Sequence, residues 1–179
     1  MPTELLRRRG HHTGRRGPPP WHHGVVRRVL VLALLLAPIL AACGSSGSGP
    51  ERAVLTISTA RGPVTLRVEI ADSPVERALG LSGRSALPAD AGMAFVWGEP
   101  VRARFWMKDT LIPLQIAFWD ARGRIIAILD MEPCRAEPCP TYGPDRPFLG
   151  AAEANAGWFT EHGVALGDTV SLGGDLGDG

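Results

Sequence analysis

The ten residues from Phe105 to Leu114, FWMKDTLIPL, gather the side chains best suited to chemistry. Trp106 offers a stacking platform for a sugar or an aromatic ligand. Lys108 and Asp109 place opposite charges on consecutive residues, and Thr110 adds a hydroxyl. Upstream, Arg84 brings a guanidinium that can grip an anionic group through two parallel hydrogen bonds. A plainer reading has Trp106 covering a sheet face and Lys108–Asp109 forming a local ion pair at a turn, because charges at strand ends are normally solvated. Met93 and Met107 are read as core.

No catalytic set assembles from the sequence. After Cys43 the one histidine is His162, at a predicted helix end where a cation complements the helix dipole. Asp130 and Glu132 share a strand face, but nothing beside them implies a raised pKa. The chain has no nucleophile elbow, phosphate loop, dinucleotide fingerprint or zinc-ligand spacing. No catalytic residue, metal or cofactor is assigned.

Charge divides the chain. Residues 1–42 carry seven arginines and one glutamate, a balance of +6, whereas residues 44–179 carry 12 basic groups against 17 acidic, a balance of −5. A domain of that sign lacks the basic footprint of a nucleic-acid binder. The basic segment reads as a leader. Arg27 and Arg28 precede an apolar run, Val29 to Ala42, that is shorter than the roughly 20 residues of a membrane span. The run ends in Leu40-Ala41-Ala42-Cys43 before Gly44, which resembles a bacterial lipoprotein signal with Cys43 lipidated; the alternative is an ordinary signal peptide with a coincidental cysteine. Several acyl chains on Cys43 would give stable anchoring to a lipid bilayer.

The expected organisation is a leader over 1–42, a lipidated Cys43 with a Gly/Ser tether over 43–52, a domain over 53–172 and a Gly/Asp-rich tail over 173–179. The expected location is the outer face of the cytoplasmic membrane, or the periplasmic side of either membrane in a two-membrane envelope. The long polar stretch before Val25 points to a start near Val25 or Val26, or to twin-arginine export. The first is preferred, because Arg27-Arg28 lacks the flanking pattern of the second. His11, His12, His22 and His23 are then no metal site.

The elements around the conspicuous stretch follow from apolar spacing. Ala53–Thr59 and Val64–Ile70 alternate apolar with polar residues about Arg61-Gly62 and predict an opening hairpin. Ser73-Pro74-Val75-Glu76 predicts a capped short helix, with Val75, Ala78, Leu79 and Ser82 on one face and Arg77 pointing elsewhere. Met93–Trp97 reads as a buried strand closed by Gly98-Glu99-Pro100. Val101–Lys108 reads as a strand with Arg102, Arg104, Trp106 and Lys108 on one side. Leu114–Trp119 and Ile125–Met131 read as strands about the Asp120–Gly123 turn, the second central because nearly every position is apolar. Phe148–Ala152 reads as a short strand, Asn155–His162 as a helix docked by Trp158 and Phe159, and Thr169–Leu172 as the closing strand. Outside the cytoplasm, Cys134 and Cys139 should pair. Their four-residue spacing fits neither the two-residue redox motif nor a four-ligand zinc site, so a structural disulfide is preferred over a metal or redox pair.

The order of these pieces resembles the DUF192 (UPF0127) family. The matching residues are Arg77, Gly80-Leu81, Arg84, Gly92-Met93, Phe95, Phe105 to Lys108, Thr110, Pro113-Leu114, the Pro133-Cys134 to Cys139-Pro140 loop with Tyr142, Glu153, Ala156-Gly157 and Gly167-Asp168. The resemblance covers roughly residues 54–172. It implies an α+β domain, a compact, barrel-like and mostly antiparallel sheet with two short helices, and it implies no reaction. The family usually has Asn at the position of Asp109, Asp at Gln115 and Met at Ser82. If the family's site needs one carboxylate there, this chain has moved it from 115 to 109; if the site is structural, both exchanges are cosmetic. The candidate ligand-binding set is Arg84, Trp106, Lys108, Asp109, Thr110, Gln115 and Glu153.

Two functions of different class follow. One is a non-catalytic envelope binding or assembly module that presents this region to a small polar ligand, a glycan or an envelope protein. The other is a hydrolase of envelope material with Asp109 or Glu153 as acid or base.

Overall fold

Alternating apolar positions close the first hairpin. In the computed structural model, which describes residues 50–173, β1 (Arg52–Thr59) and β2 (Gly62–Ala71) pair antiparallel, with Leu55 opposite Leu66 and Ile57 opposite Val64. The expected leader, Cys43, most of the tether and the tail beyond Gly173 lie outside the described residues.

After β2 the chain forms α1 (Pro74–Leu79) and returns as β3 (Ala91–Val101), parallel to β2 over Arg67–Ala71. Parallel neighbours need such a crossover, because a tight turn can only reverse the chain. The capping box predicted at Ser73 is present. Ser73 Oγ accepts the Glu76 amide at 3.2 Å, and the Glu76 carboxylate accepts the Ser73 amide at 3.0 Å. The Ser73 hydroxyl, which donates to the same carboxylate at 2.6 Å, and the Ser73 amide hold the Glu76 carboxyl below its ordinary range. The expected apolar face of α1 is not buried. Val75 and Leu79 are exposed, and Leu81, just past the Gly80 turn, enters the core instead. A helix of under two turns lying across a cavity has little of its surface against the sheet.

β3 runs past its expected end at Gly98, with an irregular register between Val96 and Val101. The strand expected over Val101–Lys108 contracts to β4 (Phe105–Trp106), which pairs only with β7 (Thr141–Tyr142). The main sheet continues with β5 (Leu114–Trp119), β6 (Ile125–Met131), β8 (Phe148–Asn155) and β9 (Thr169–Gly173), and α2 (Trp158–Glu161) lies between the last two. Its seven strands run β6-β5-β8-β3-β2-β1-β9, all antiparallel except β2 with β3.

Two expectations are corrected here. The sheet is not closed into a barrel. Its edge strands meet at one corner, through the isolated antiparallel bridge Arg124↔Thr169; partners for the rest of β6 would have to come from residues before Thr169, and residues 163–168 are turn and loop rather than strand. β6 is an edge strand, not a central one. Its apolar positions are covered by the layers on either face, with Ile126, Ala127 and Leu129 packed into one cluster and Ile128 into the other.

Successive strand residues face opposite sides, so β5 supplies both cores: Leu114, Ile116 and Phe118 to one, Ala117 and Trp119 to the other. The core with Leu55, Ile57, Trp119, Trp158 and Phe159 lies under α2. The opposite core, with Met93, Phe95, Met107, Ile116, Phe118 and Phe148, carries the candidate site.

Candidate functional site

The segment after β4 turns sharply over the second core. The Thr110 amide donates to the Met107 carbonyl at 3.3 Å, and Asp109 takes a left-handed backbone with φ of 57°. Among non-glycine residues Asn and Asp adopt that conformation most readily. The exchange of the family's usual Asn for Asp109 therefore keeps the turn. Two bonds tie the turn to its surroundings: the Gly83 amide donates to the Asp109 carbonyl at 2.8 Å, and the Cys134 amide to the Met107 carbonyl at 3.2 Å. Cys134 and Cys139 form the expected disulfide, with Cα atoms 5.5 Å apart.

Between this turn, α1 and the sheet lies a pocket of about 350 Å³. Phe95, Trp97 and Phe105 form its aromatic wall, with edge-to-face ring contacts at 4.9 Å between Phe95 and Phe105 and 6.3 Å between Trp97 and Phe105. Trp106, Lys108, Asp109, Thr110 and Glu153 all border it. Trp106 is 55 % exposed, with the Lys108 ammonium over its ring at 5.7 Å. The Lys108–Asp109 ion pair of the plainer reading is replaced by a 3.1 Å pair between Lys108 and Glu137, which the disulfide loop presents. That hydrogen bond raises the Lys108 pKa and lowers that of Glu137.

Glu153 is the unusual group. It is 4 % exposed and lies in β8, between Met93 of β3 and Ile116 of β5. Burial pushes its carboxyl up to about 8, so at neutral pH it is mostly a neutral acid. No hydrogen bond or charge among the described residues offsets that burial. Nor, among those residues, is any fully occluded side-chain nitrogen or oxygen left without a partner. The unpartnered Glu153 oxygens therefore reach the cavity itself. Gly92 allows the close approach behind it, since a Cβ there would overlap the Glu153 carbonyl.

Two predicted residues lie elsewhere. Arg84 forms a two-pronged pair with Glu69, through Nη1–Oε1 at 2.8 Å and Nη2–Oε2. It borders a different groove, beside Arg52 and Arg67. Gln115 points to the opposite face. Its Nε2 donates to Asp130 Oδ1 at 2.8 Å and Thr160 Oγ1 at 2.9 Å, and its Oε1 accepts the Thr160 amide at 3.2 Å. It fastens α2 to the sheet and is no counterpart of Asp109.

Sequence reasoning missed Arg77 and Arg104 as pocket residues. Arg77 reaches back to the Asp72 and Val96 carbonyls, the latter at 3.0 Å, with its guanidinium over the Trp97 ring at 5.1 Å. Arg104 donates to the Thr141 carbonyl at 2.7 Å and the Gly143 carbonyl at 3.0 Å. Carbonyls orient both cations, and among the described residues no carboxylate pairs with either, whereas Lys108 has Glu137. Arg77 stood among the family-matching residues, and Arg104 shares its side of the chain with Trp106 and Lys108; both signals were present. Among the described residues, no three His, Cys, Asp or Glu side chains converge as metal ligands.

A family model, DUF192, described as an uncharacterized ACR, matches residues 55–172. The chain is also similar to two solved structures, each at 31% identity. One, from Sinorhizobium meliloti 1021, is described as a candidate transcription regulator and aligns with a TM-score of 0.63 over 70% of this chain and 96% of that one. The other, from Novosphingobium aromaticivorans DSM 12444, is described as a protein of unknown function and aligns with a TM-score of 0.64 over 70% of this chain and 89% of that one. Among curated proteins nothing matches.

Proposed function

The chain belongs to the DUF192 family, and on that premise we propose that it is an exported lipoprotein whose domain is a non-catalytic binding module. It takes a small polar ligand, or the tip of a glycan or of an envelope protein, into the pocket beneath Trp106–Thr110. The observation that carries this reading is the convergence of an aromatic wall, two carbonyl-held arginines and one buried acid on a single cavity of about 350 Å³. That volume is at the small end of ligand sites, and such sites combine apolar walls with a few placed polar groups. Anchoring through Cys43 rests on the Arg27-Arg28, apolar-run, Leu40-Ala41-Ala42-Cys43 order. A transcriptional role is not adopted, because a balance of −5 over residues 44–179 disfavours phosphate contact.

A hydrolase is the second reading, and one observation favours it: Glu153 holds its proton at neutral pH, as a general acid must. Among the described residues the only other carboxylate bordering the cavity is Asp109, whose place in the turn its backbone geometry already accounts for.

The test is a thermal-shift screen of the full chain against glycans, nucleotides, metal ions and small organic ions. A shift in the wild type that is lost in Trp106→Ala supports the binding module. Turnover of an envelope glycan or peptide, abolished in Glu153→Gln, supports the hydrolase instead. Silence in the binding screen together with no turnover overturns both.

A further inference from the structure

A neutral carboxylic acid differs from a carboxylate in what it can recognise. It offers one O–H to an acceptor oxygen, and it has no charge with which to attract a cation. Glu153 presents such a group to the cavity, 96 % buried and with no partner for its oxygens among the described residues. An O–H donor in an apolar surrounding is costly to leave unmatched, so the ligand atom opposite it should be an acceptor.

The mouth of the pocket has the opposite character. Arg77 from α1 and Arg104 from the segment before β4 border it, each oriented by backbone carbonyls. Lys108 and Asp109 complete its charged groups, with Lys108 paired to Glu137. β3 and β5, which flank Glu153, turn only apolar side chains towards it at Met93, Phe95, Ile116 and Phe118. The cavity therefore has a cationic mouth, an aromatic wall and a neutral donor at its base. Guanidinium groups held in place in advance favour a carboxylate or similar anion and repel an amine.

Resting on the binding-module reading above, we propose that the ligand is a small organic anion with an apolar or aromatic body and an acceptor oxygen at its far end. Arg77 and Arg104 hold the anionic group, Phe95, Trp97 and Phe105 pack the body, and the Glu153 carboxyl donates to the far oxygen. Binding is then strongest where Glu153 is protonated, and it weakens as pH rises through about 8, where the carboxyl ionises and turns its charge on the bound acceptor.

Three probes dissect the arrangement by titration calorimetry on the full chain. 4-Hydroxyphenylacetate carries both features, phenylacetate lacks the far oxygen, and tyramine replaces the anion by a cation. The expected order is 4-hydroxyphenylacetate first, phenylacetate about tenfold weaker for one lost hydrogen bond, and tyramine undetected. Glu153→Leu should remove the advantage of 4-hydroxyphenylacetate over phenylacetate. Glu153→Gln, whose amide still donates, should keep the advantage but lose the weakening above pH 8. Tyramine as the tightest probe, an affinity that rises with pH, or no binding of 4-hydroxyphenylacetate at millimolar concentration overturns the ligand class. In that event, a different compound whose thermal shift depends on Trp106 leaves the binding module standing; silence across the screen removes it too.

Discussion

Glu153→Gln should flatten much of the pH dependence of this domain's stability. The wild-type carboxyl titrates near 8 in the fold and near 4.5 when unfolded, because burial penalises its charged form. Above pH 4.5 the unfolded chain therefore releases a proton that the folded chain keeps. The unfolded state binds fewer protons, so stability falls as pH rises from about 4.5 to about 8 and is level beyond. The gap corresponds to about 5 kcal/mol in full, of which about 3 kcal/mol is already lost at pH 7. Glutamine fills the same space without a titrating proton. The variant and the wild type should unfold at similar urea concentrations at pH 5, and the variant should then gain steadily, by about 2 M in midpoint at pH 9. Other titrating groups are common to both proteins and cancel in the difference. A constant offset between the two reflects only the exchange of one polar group for another. A midpoint difference that does not change between pH 5 and pH 9 would refute the assignment of Glu153 as a buried, unpartnered acid.

Two further outcomes test the division of the sheet into two faces. Gln115→Ala removes three hydrogen bonds on the α2 side and should cost about 2–3 kcal/mol by urea unfolding, while pocket ligands bind as before; a tenfold change in their affinity would contradict the separation. Gly92→Ala forces a Cβ onto the Glu153 carbonyl and against Leu66, so β3 and β8 must part. A loss of about 3 kcal/mol or insoluble expression is expected, and a wild-type unfolding midpoint would show the packing there to be looser than described.

The local pieces were legible because their causes are local. The Ser73–Glu76 capping box and the hairpin of β1 and β2 depend on residues within a few positions of each other. Gln115 could also have been assigned to the far face from the sequence, since Leu114, Ile116 and Phe118 fix the parity of β5. The resemblance drew it towards Asp109 instead. Glu153 carried its own signal as the lone acid in the apolar run Phe148–Ala154, yet its meaning required knowing that β3 and β5 flank it. Arg77 and Arg104 carried signals too, but what holds them at the pocket was hidden for a related reason. Their partners are carbonyls of Val96, Thr141 and Gly143, and a carbonyl has no residue type to read. The barrel-like closure failed on strand placement: an alternating pattern reveals that β9 exists, but not that it begins at the corner of β6 and runs away from it.

The position of β8 bears on how the chain is made. β8 is late in the chain, yet it lies between β3 and β5 and is hydrogen-bonded to both. Until residue 155 has emerged from a ribosome or a membrane channel, the chain holds only two unconnected fragments, β1-β2-β3 and β5-β6, each with an open edge. Such long-range pairing is slow, because a loop must close before any contact rewards it. Vectorial synthesis thus delays completion of the sheet until roughly the last fifth of the domain, from Phe148 onward, arrives. A chain cut before Phe148 should be recognised as foreign by proteases and not persist as a stable half-domain. The same late strand carries Glu153, so the neutral acid enters its cavity in the step that joins the two fragments.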